Sequence, residues 1–410
     1  MKMYFDFRDV FKALRIAFSF QRIWTNTVGL AFAYAVYLIF AYISFLLDGT
    51  PFSAIVAGYG LFPTIFGETI GTIPAIIYWI GVLLAGLLIL VTNTAVSRLA
   101  YMQLRNEFFY TWRQAFRFAF KKFLSIVGAY FTFLFMIAFF VIGALVMGFI
   151  GRIPAIGEWL NALLTIPYIF AGLLLAFIAL VSVVSIILIP AVLATMDEDA
   201  LGGVFHSFSV VYNQPWRLAV YSALAGILEI VGFAMYAVFI KVGYTVFAAL
   251  FTIGMGEKFF RISETSLAWL QKILGPVNGL MSSAWGSAAQ YIYFSHPHTS
   301  LALSGTESIA AVIMTIFLFL VGLSVLGYAE ATGNTGMTLT YLAIYKRQED
   351  ENLLEREDEE LKEEEDEEDE KTDESSENGG EEGSTEEAGT DADAGETSSE
   401  EDSASEEKSE

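Results

Sequence analysis

Six stretches of this chain consist of about 20 or more predominantly apolar residues, and they dominate its hydrophobic pattern. They lie near residues 27–47, 73–96, 123–150, 162–194, 217–240 and 308–329. A bilayer core of roughly 30 Å requires a helix of about 20 apolar residues, because every backbone polar group must be satisfied within the span. Trp24, Trp79, Trp159 and Trp216 lie close to the ends of these runs, as is typical of interfacial aromatic residues. The pattern predicts an all-α integral membrane protein with six transmembrane helices.

Three shorter segments have a helical pattern with one polar and one apolar face, and each precedes a predicted span. They contain the similar sequences "ALRIAF" (13–18), "AFRFAF" (115–120) and "VFHSFS" (204–209), which places Arg15, Arg117 and His206 in register. The first two have basic stripes, as expected of helices lying among the headgroups of the inner leaflet. The expected headgroup contacts are Lys12, Arg15, Arg113, Arg117 and Lys121.

The spans end in segments that also resemble one another. Residues 192–203, "VLATMDEDALGG", are similar to residues 325–336, "VLGYAEATGNTG". We therefore expect three hairpin units, each with an amphipathic inner-leaflet helix, a span, an external loop and a second span. Chance similarity between apolar sequences is the alternative. The predicted inner-face exits, where spans end on the cytoplasmic side, contain the acidic residues Asp197, Glu198, Asp199 and Glu330. Solvated helix ends explain these residues as well as a cation site does.

Composition and charge divide the chain into two regions. Hydrophobic residues make up 55% of it and the mean hydropathy is +0.53, values too apolar for a soluble domain of this length. The net charge of −23 arises beyond residue 348, where 32 acidic and 4 basic residues give −28. Such a composition cannot bury enough apolar surface to fold. We expect a membrane domain over residues 1–348 and a disordered acidic cytoplasmic tail over 349–410.

The distribution of basic residues predicts the orientation of the chain. With the N-terminus in the cytoplasm, fourteen Lys and Arg residues of the membrane domain lie inside and five outside, so both termini should be cytoplasmic. No cleavage site follows a short apolar region, which favours an uncleaved start. We expect a bacterial inner (plasma) membrane location. The external segments 48–72 and 244–306 are apolar enough to be re-entrant or to lie on the membrane, and residues 263–275 read as an amphipathic helix.

Glu229 is the most informative single residue. It lies about thirteen residues into the fifth run, where an ionised carboxylate is costly unless it is paired or hydrated. Its presence favours an ion or proton relay or a substrate contact; a protonated carboxyl group bonded within the bundle is the alternative. Lys241, twelve residues further along, is too far away to pair with it and is expected to snorkel towards the outer headgroups.

Motifs for catalysis and metal binding are weak or missing from the sequence. The chain has no cysteine, which excludes disulfides and thiolate sites. His296 and His298 could share a metal ion, but a zinc site needs further ligands, so we expect no metal and no cofactor. No Gly-rich phosphate loop, zincin helix or nucleophile elbow is present. The basic, aromatic segment 97–114 is flanked by spans, so lipid rather than nucleic acid is its expected partner.

One region resembles known families. Residues 190–224 combine an acidic residue, paired glycines and an aromatic-rich surface helix before a span that begins with Trp and Arg. These features are Glu198, Gly202, Gly203, Phe208, Trp216 and Arg217. The region is similar to poorly characterised polytopic bacterial membrane-protein families, including the membrane domain fused to some glycerophosphodiester phosphodiesterases. The resemblance includes the wider arrangement of basic interfacial helix, hairpin and acidic exit, so it covers about a third of the chain, and it implies no catalytic residue.

The sequence thus favours a non-enzymatic multi-pass protein that organises lipids or partners through its basic inner surface and acidic tail. The alternative is a transporter or channel that uses Glu229, since many transporters are built from repeats with a site near the midplane.

Overall fold

The computed structural model describes residues 3–274 and 298–356, together with the single positions 283 and 286. His296 and the predicted disordered tail beyond residue 356 lie outside the described residues. Over the described part the chain is helical. Its helices are α1 Phe7–Val10, α2 Ala13–Ala17, α3 Phe20–Leu47, α4 Phe52–Tyr59, α5 Thr72–Leu104, α6 Trp112–Lys121, α7 Phe123–Ile150, α8 Ile156–Leu163, α9 Thr165–Met196, α10 Ala200–Asn213, α11 Pro215–Met255, α12 Glu257–Ile273 and α13 Gly305–Glu349.

Six of these helices are long and apolar enough to cross a membrane: α3, α5, α7, α9, α11 and α13. The predicted class, all-α with six candidate spans, is therefore confirmed. Capping residues define several of the helix boundaries. Thr111 and Gln114 form a capping box at the start of α6, Asp199 accepts a hydrogen bond from Gly202 N (2.8 Å) to begin α10, and Pro215 occupies the first turn of α11, where it costs no backbone hydrogen bond.

Two of the predicted apolar runs stop fifteen or more residues before the ends of the helices that contain them. The fifth run was expected to end at residue 240 and the sixth at 329, whereas α11 extends to Met255 and α13 to Glu349. Residues 244–255 therefore belong to a helix and not to an external loop. In α13, the polar and small residues after Gly327 continue the helix because other helices bury them, including Thr332, Asn334 and Thr338. A hydropathy limit marks where lipid contact ends, and not where the helix ends.

The first amphipathic segment is two short helices instead of one. Asp9 is fully buried, accepts hydrogen bonds from the backbone N–H groups of Tyr4 (2.8 Å) and Phe5 (2.6 Å), and forms an ion pair with Lys12. The chain breaks again between α2 and α3. Arg22 is 4% exposed and donates to Ile16 O (2.8 Å) and Leu99 O (3.2 Å).

The second helix of each successive pair lies at the centre of the bundle. Helices α5, α9 and α13 contact one another, while α3 packs on α5 and α13, α7 packs on α9, and α11 packs on α13. Glycines allow close approach where α13 meets its neighbours: a Cβ at Gly327 would lie 2.7 Å from Thr27 Oγ1, and one at Gly336 would lie 2.8 Å from Ala225 Cβ. Small residues at helix contacts are typical of membrane bundles.

The short helices α2, α6 and α10 each precede one long helix pair and pack on another. Helix α2 contacts α11 and α13, α6 contacts α3 and α5, and α10 contacts α7 and α9. Together with α1 they form what we call the capped end of the bundle. Ion pairs and hydrogen bonds join the long helices there, including Lys122 Nζ to Asp197 Oδ1 (2.7 Å) and Arg98 to Ala194 O (3.1 Å).

We call the opposite end, with α4, α8 and α12, the open end. The predicted amphipathic helix 263–275 is the later part of α12, which begins earlier, at Glu257. One face of α12 is buried against α13: Ser266 Oγ donates to Ala311 O (3.1 Å), and Arg261 forms an ion pair with Glu307 (2.9 Å). Helix α12 is therefore docked on the protein along one side.

Candidate functional site

Glu229 and Glu330 line one cavity of about 650 Å³. Glu229 lies on α11 and Glu330 on α13, and both side chains are partly buried. The sequence places Glu330 at an inner-face exit; in the structure α13 continues uninterrupted past it, so Glu330 lies inside a helix. Helices α5, α7 and α9 complete the cavity wall, whose polar residues are Asn93, Tyr130, Ser222, Glu229, Glu330 and Asn334.

Glu229 lies directly against the backbone of α13. A Cβ built on Gly333 would be 2.4 Å from Glu229 Oε2 and 2.9 Å from its Cδ, a separation that real Cβ atoms do not have. Glycine at this position therefore leaves room for the carboxylate. The same turn of α13 carries Glu330 three residues earlier and Asn334 one residue later. One face of the helix therefore presents a carboxyl group, the space left by Gly333 and an amide.

Neither carboxylate has a protein partner within the described residues. No hydrogen bond or ion pair joins Glu229 or Glu330 to another described side chain or backbone group, and the charged group that acts on Glu229 is Glu330. Asp at the centre of a membrane helix already costs about 2.5–3.5 kcal/mol on insertion scales. Two acids facing one cavity add mutual repulsion to that cost, unless a proton or cation is bound.

Neutral polar groups complete the cavity. Asn334 Nδ2 donates to Asn93 Oδ1 (3.0 Å), which links α13 to α5. Tyr130 on α7 donates to Ile186 O (3.2 Å). Pro190 lies inside α9 and has no N–H, so the carbonyl four residues earlier, that of Ile186, is free to accept this bond. Amide and hydroxyl oxygens are ligands for hard cations and partners for a proton-bearing carboxyl group.

Most of the predicted headgroup residues lie on the surface. Arg15, Arg113, Arg117 and Lys121 are exposed, and the Arg113 guanidinium lies 5.4 Å from the centre of the Trp112 ring. Lys12 differs from these because it is half-buried and paired with Asp9. The apolar sides of the two helices pack on protein: Ala13, Ile16 and Ala17 in α2, and Ala115, Phe118 and Ala119 in α6, are buried.

The acidic residues at the α9–α10 turn have structural contacts. Asp197 ends α9 with a left-handed backbone (φ 55°) and pairs with Lys122. Asp199 is the N-cap of α10, and the Glu198 side chain lies against Gly202, where a Cβ would be 2.6 Å from Glu198 Oε2. These contacts account for the acids at this turn.

His206, the third member of the sequence register, lies at the capped end. Its ring centre is 6.4 Å from that of Tyr341 and 5.9 Å from that of Tyr345. Burial lowers the pKa of His206 below its usual value, and the charge of Arg356 acts in the same direction, while Glu198 and Glu349 act in the opposite one.

The second histidine of interest has an acidic partner. His298 Nδ1 is paired with Glu264, and its backbone N–H donates to Gln271 (3.0 Å). Among the described residues no three His, Cys, Asp or Glu side chains come together as a metal site would require. His296 lies outside those residues, so the suggested histidine pair is not described.

Sequence reasoning identified Glu229 but missed its surroundings. Asn93, Tyr130 and Gly333 lie on three different helices, and only their tertiary packing brings them together. A signal was present within α13 itself, since Glu330, Gly333 and Asn334 follow the helical i, i+3, i+4 spacing. Using it required extending the sixth helix beyond residue 329.

Comparison of the chain with models of protein families, with curated proteins and with solved structures finds no match in any of the three.

Proposed function

We propose that this protein is a transporter or channel for protons or small cations, in which Glu229 and Glu330 form the intramembrane binding site. The observation that carries the proposal is the pair of carboxylates, unpartnered within the described residues, that faces one cavity between long apolar helices. An ionisable residue inside a span marks an ion path or proton relay by default.

The chemistry of the cavity supports a cationic ligand. Two ionised carboxylates in a space of low dielectric constant repel each other strongly, and a bound proton or cation removes that repulsion. Among the described residues, the cavity wall has no basic side chain, and its other polar groups are amides and hydroxyls, namely Asn93, Asn334, Tyr130 and Ser222. A structural ion pair is therefore not the role that these side chains support.

We also propose that the bundle consists of three hairpin units, α3–α5, α7–α9 and α11–α13, each preceded by a short interfacial helix. The cyclic packing supports this: α6 contacts the first pair, α10 the second and α2 the third. The short helices also share a register of burial, since Ala13 and Ile16, Ala115 and Phe118, and Val204 and Ser207 occupy equivalent buried positions. A site near the centre of repeated units is common in transporters.

The second candidate function is the non-enzymatic scaffold, and the exposed basic residues of α2 and α6 favour it. Arg15, Arg113 and Arg117 are free to face lipid headgroups, and the acidic tail offers a surface for protein partners. In this proposal both termini lie on the cytoplasmic side of a bacterial inner membrane, where anionic lipids attract basic segments. The two functions use different residues, so they can be tested separately.

Ion flux in proteoliposomes tests the transport proposal. Purified protein is reconstituted with an internal pH indicator, and proton flux is driven by a potassium diffusion potential, with Na⁺ flux measured in parallel. We expect flux above that of empty liposomes, lost in Glu229→Gln and Glu330→Gln and retained in Glu158→Gln, which changes an exposed glutamate on α8. Flux that is equal in all variants, or no flux of either ion, would overturn the proposal.

Chemical labelling tests whether the carboxyl site is present and reachable, even if the flux assay lacks the right driving force for transport. A lipid-soluble carbodiimide reacts with protonated carboxyl groups inside membranes, and we expect it to modify Glu229 or Glu330 but not Glu158. If neither is modified, the cavity is not reachable from the membrane and the transport proposal fails. The scaffold proposal instead predicts that Arg113→Gln with Arg117→Gln reduces co-purified anionic lipid and leaves carbodiimide labelling unchanged.

A further inference from the structure

A second, larger cavity of about 1420 Å³ lies between α3, α5, α11 and α13 and reaches α12. It exceeds the roughly 300–1,000 Å³ typical of small-molecule pockets. Its walls are almost entirely aliphatic and aromatic, including Trp79, Phe233 and Phe317. Apolar surface left in water is unfavourable by roughly 25 cal/mol per Å², so an apolar space of this size favours an apolar occupant.

Helix α12 covers the cavity at the open end with its apolar stripe. Leu267, Leu270 and Leu274, which share one side of the predicted amphipathic helix, all line the cavity. The opposite side of α12 is held by the Arg261–Glu307 ion pair. The leucines therefore face this apolar space from one side.

Three glycines on three helices widen this space. A Cβ on Gly86, Gly243 or Gly322 would meet no atom within 4 Å, and all three residues line the cavity. By contrast, Gly81 and Gly333 have a neighbouring side chain packed against them, Phe40 and Glu229 respectively. The cavity glycines thus leave volume open where a helix contact would have closed it.

The charge of the cavity wall indicates the polarity of the occupant. Lys241 is the one charged residue among its described lining residues, and Gln271 lies in the same wall. The remaining polar groups are aromatic, and the Tyr34 and Tyr37 hydroxyls donate to the carbonyls of Leu61 and Pro63. An apolar space whose described lining has one cation and no carboxylate suits a long hydrocarbon chain attached to an anionic group.

We propose that this cavity binds an anionic membrane lipid, with an acyl chain among the apolar residues and the negatively charged headgroup directed to Lys241. The bilayer is the source of the occupant, because the lining helices are candidate membrane spans. The site uses neither Glu229 nor Glu330, so it goes beyond the proposed transport function and is tested independently of it.

The test is photo-crosslinking in nanodiscs with phosphatidylglycerol or phosphatidylcholine that carries a diazirine in one acyl chain. We expect phosphatidylglycerol adducts to concentrate on peptides that line the cavity. Gly243→Leu and Gly322→Leu place a side chain in the space from positions where a Cβ meets no atom within 4 Å. They should reduce those adducts roughly tenfold, which corresponds to about 1.4 kcal/mol of binding free energy. Gly86 is unsuitable because it also lines the Glu229 cavity.

Matched controls make the outcome decisive. Gly172→Leu is placed on α9, where a Cβ also meets nothing within 4 Å and the residue lines neither this cavity nor the Glu229 cavity, and should leave the adducts unchanged. Lys241→Gln should lower phosphatidylglycerol labelling to the level of phosphatidylcholine. Adducts as frequent on exposed α7 residues as in the cavity, or insensitive to Gly243→Leu and Gly322→Leu, would overturn the site. Equal labelling by the two lipids in the unsubstituted protein would overturn the anionic class.

Discussion

Two glycine-to-alanine substitutions, three residues apart on α13, separate the site chemistry from helix packing. Gly333 and Gly336 both lie in the buried part of α13, but they face different atoms of α11. A Cβ at position 333 would be 2.4 Å from Glu229 Oε2, whereas one at position 336 would be 2.8 Å from Ala225 Cβ and 3.4 Å from Ala225 Cα. The first conflict involves the end of a flexible side chain, and the second involves the body of a helix.

The magnitudes follow from what must move. In Gly333→Ala the carboxylate can rotate away, and alanine is favoured over glycine in a helix by about 0.5–1 kcal/mol, so the unfolding free energy should change by less than about 1 kcal/mol. In Gly336→Ala the α11 backbone must shift, and overpacking of this kind costs about 1–3 kcal/mol. We therefore expect only Gly336→Ala to be clearly destabilised.

Two assays on the same protein preparations check this. Equilibrium unfolding in mixed micelles with added dodecyl sulfate measures stability, and proteoliposome proton flux measures function. Gly333→Ala should retain stability and lose flux, because Glu229 is displaced from its position against α13. Equal destabilisation of both variants would mean that the Glu229 carboxylate is rigidly held. Normal flux in Gly333→Ala, together with no flux in Glu229→Gln, would mean that this position of the carboxylate is not required.

Three further predictions concern the capped end. Lys122→Met should lower the unfolding free energy by about 1–3 kcal/mol, measured by the same unfolding titration, because Asp197 loses its ion pair (2.7 Å); no change would mean that solvent screens the pair. Arg98→Met should lower the unfolding free energy by about 2–3 kcal/mol. It removes a fully buried guanidinium, which donates to a carbonyl and lies 4.2 Å from the Phe118 ring centre. Arg98→Lys should recover only part of this loss. His206 has a lowered pKa in the folded state, so the unfolded chain binds more protons near the usual histidine pKa. Stability should therefore fall as the pH decreases through about 6.5. The midpoint of thermal unfolding should depend less steeply on pH in His206→Gln between pH 7.5 and 5.5, and an unchanged dependence would assign the effect to other groups.

The accuracy of the predicted spans depends on what covers each helix. Helix α7 was predicted with its observed bounds, Phe123–Ile150, and only 6% of its most apolar window is buried inside the protein. A helix that faces lipid on nearly all sides must be apolar along its whole length, so hydropathy finds its ends. Helix α13 is wrapped by protein after Gly327, and protein neighbours accept threonine, asparagine and glycine. Hydropathy alone therefore could not locate its true end at Glu349.

The same reason limits what the sequence revealed of the candidate site. Glu229 was identifiable because a carboxylate inside an apolar run is rare and costly. Glu330 was noticed but assigned to a helix exit, because small residues follow it. Those residues are small since Gly333 faces Glu229 and Gly336 faces Ala225. Asn93 and Tyr130 carry no local signal, and their role depends on contacts between helices.

The repeated hexapeptide at 13–18 and 115–120 can now be interpreted through its alanines. Ala13 and Ala17, like Ala115 and Ala119, are fully buried, and Ile16 and Phe118 lie between them, whereas Arg15 and Arg117 are exposed. The shared positions are therefore those at which a short helix packs on a pair of long ones, and a basic residue remains on the outer side. Helix α6 packs on the α3–α5 pair and leads into the α7–α9 pair, so it joins the first pair to the second. Helix α2 packs on the α11–α13 pair and leads into the α3–α5 pair, so it joins the last pair to the first. This linkage holds α5, α11 and α13 together around the Glu229 cavity, so changes at the buried alanines should disturb the site from a distance, while changes at the exposed arginines should not.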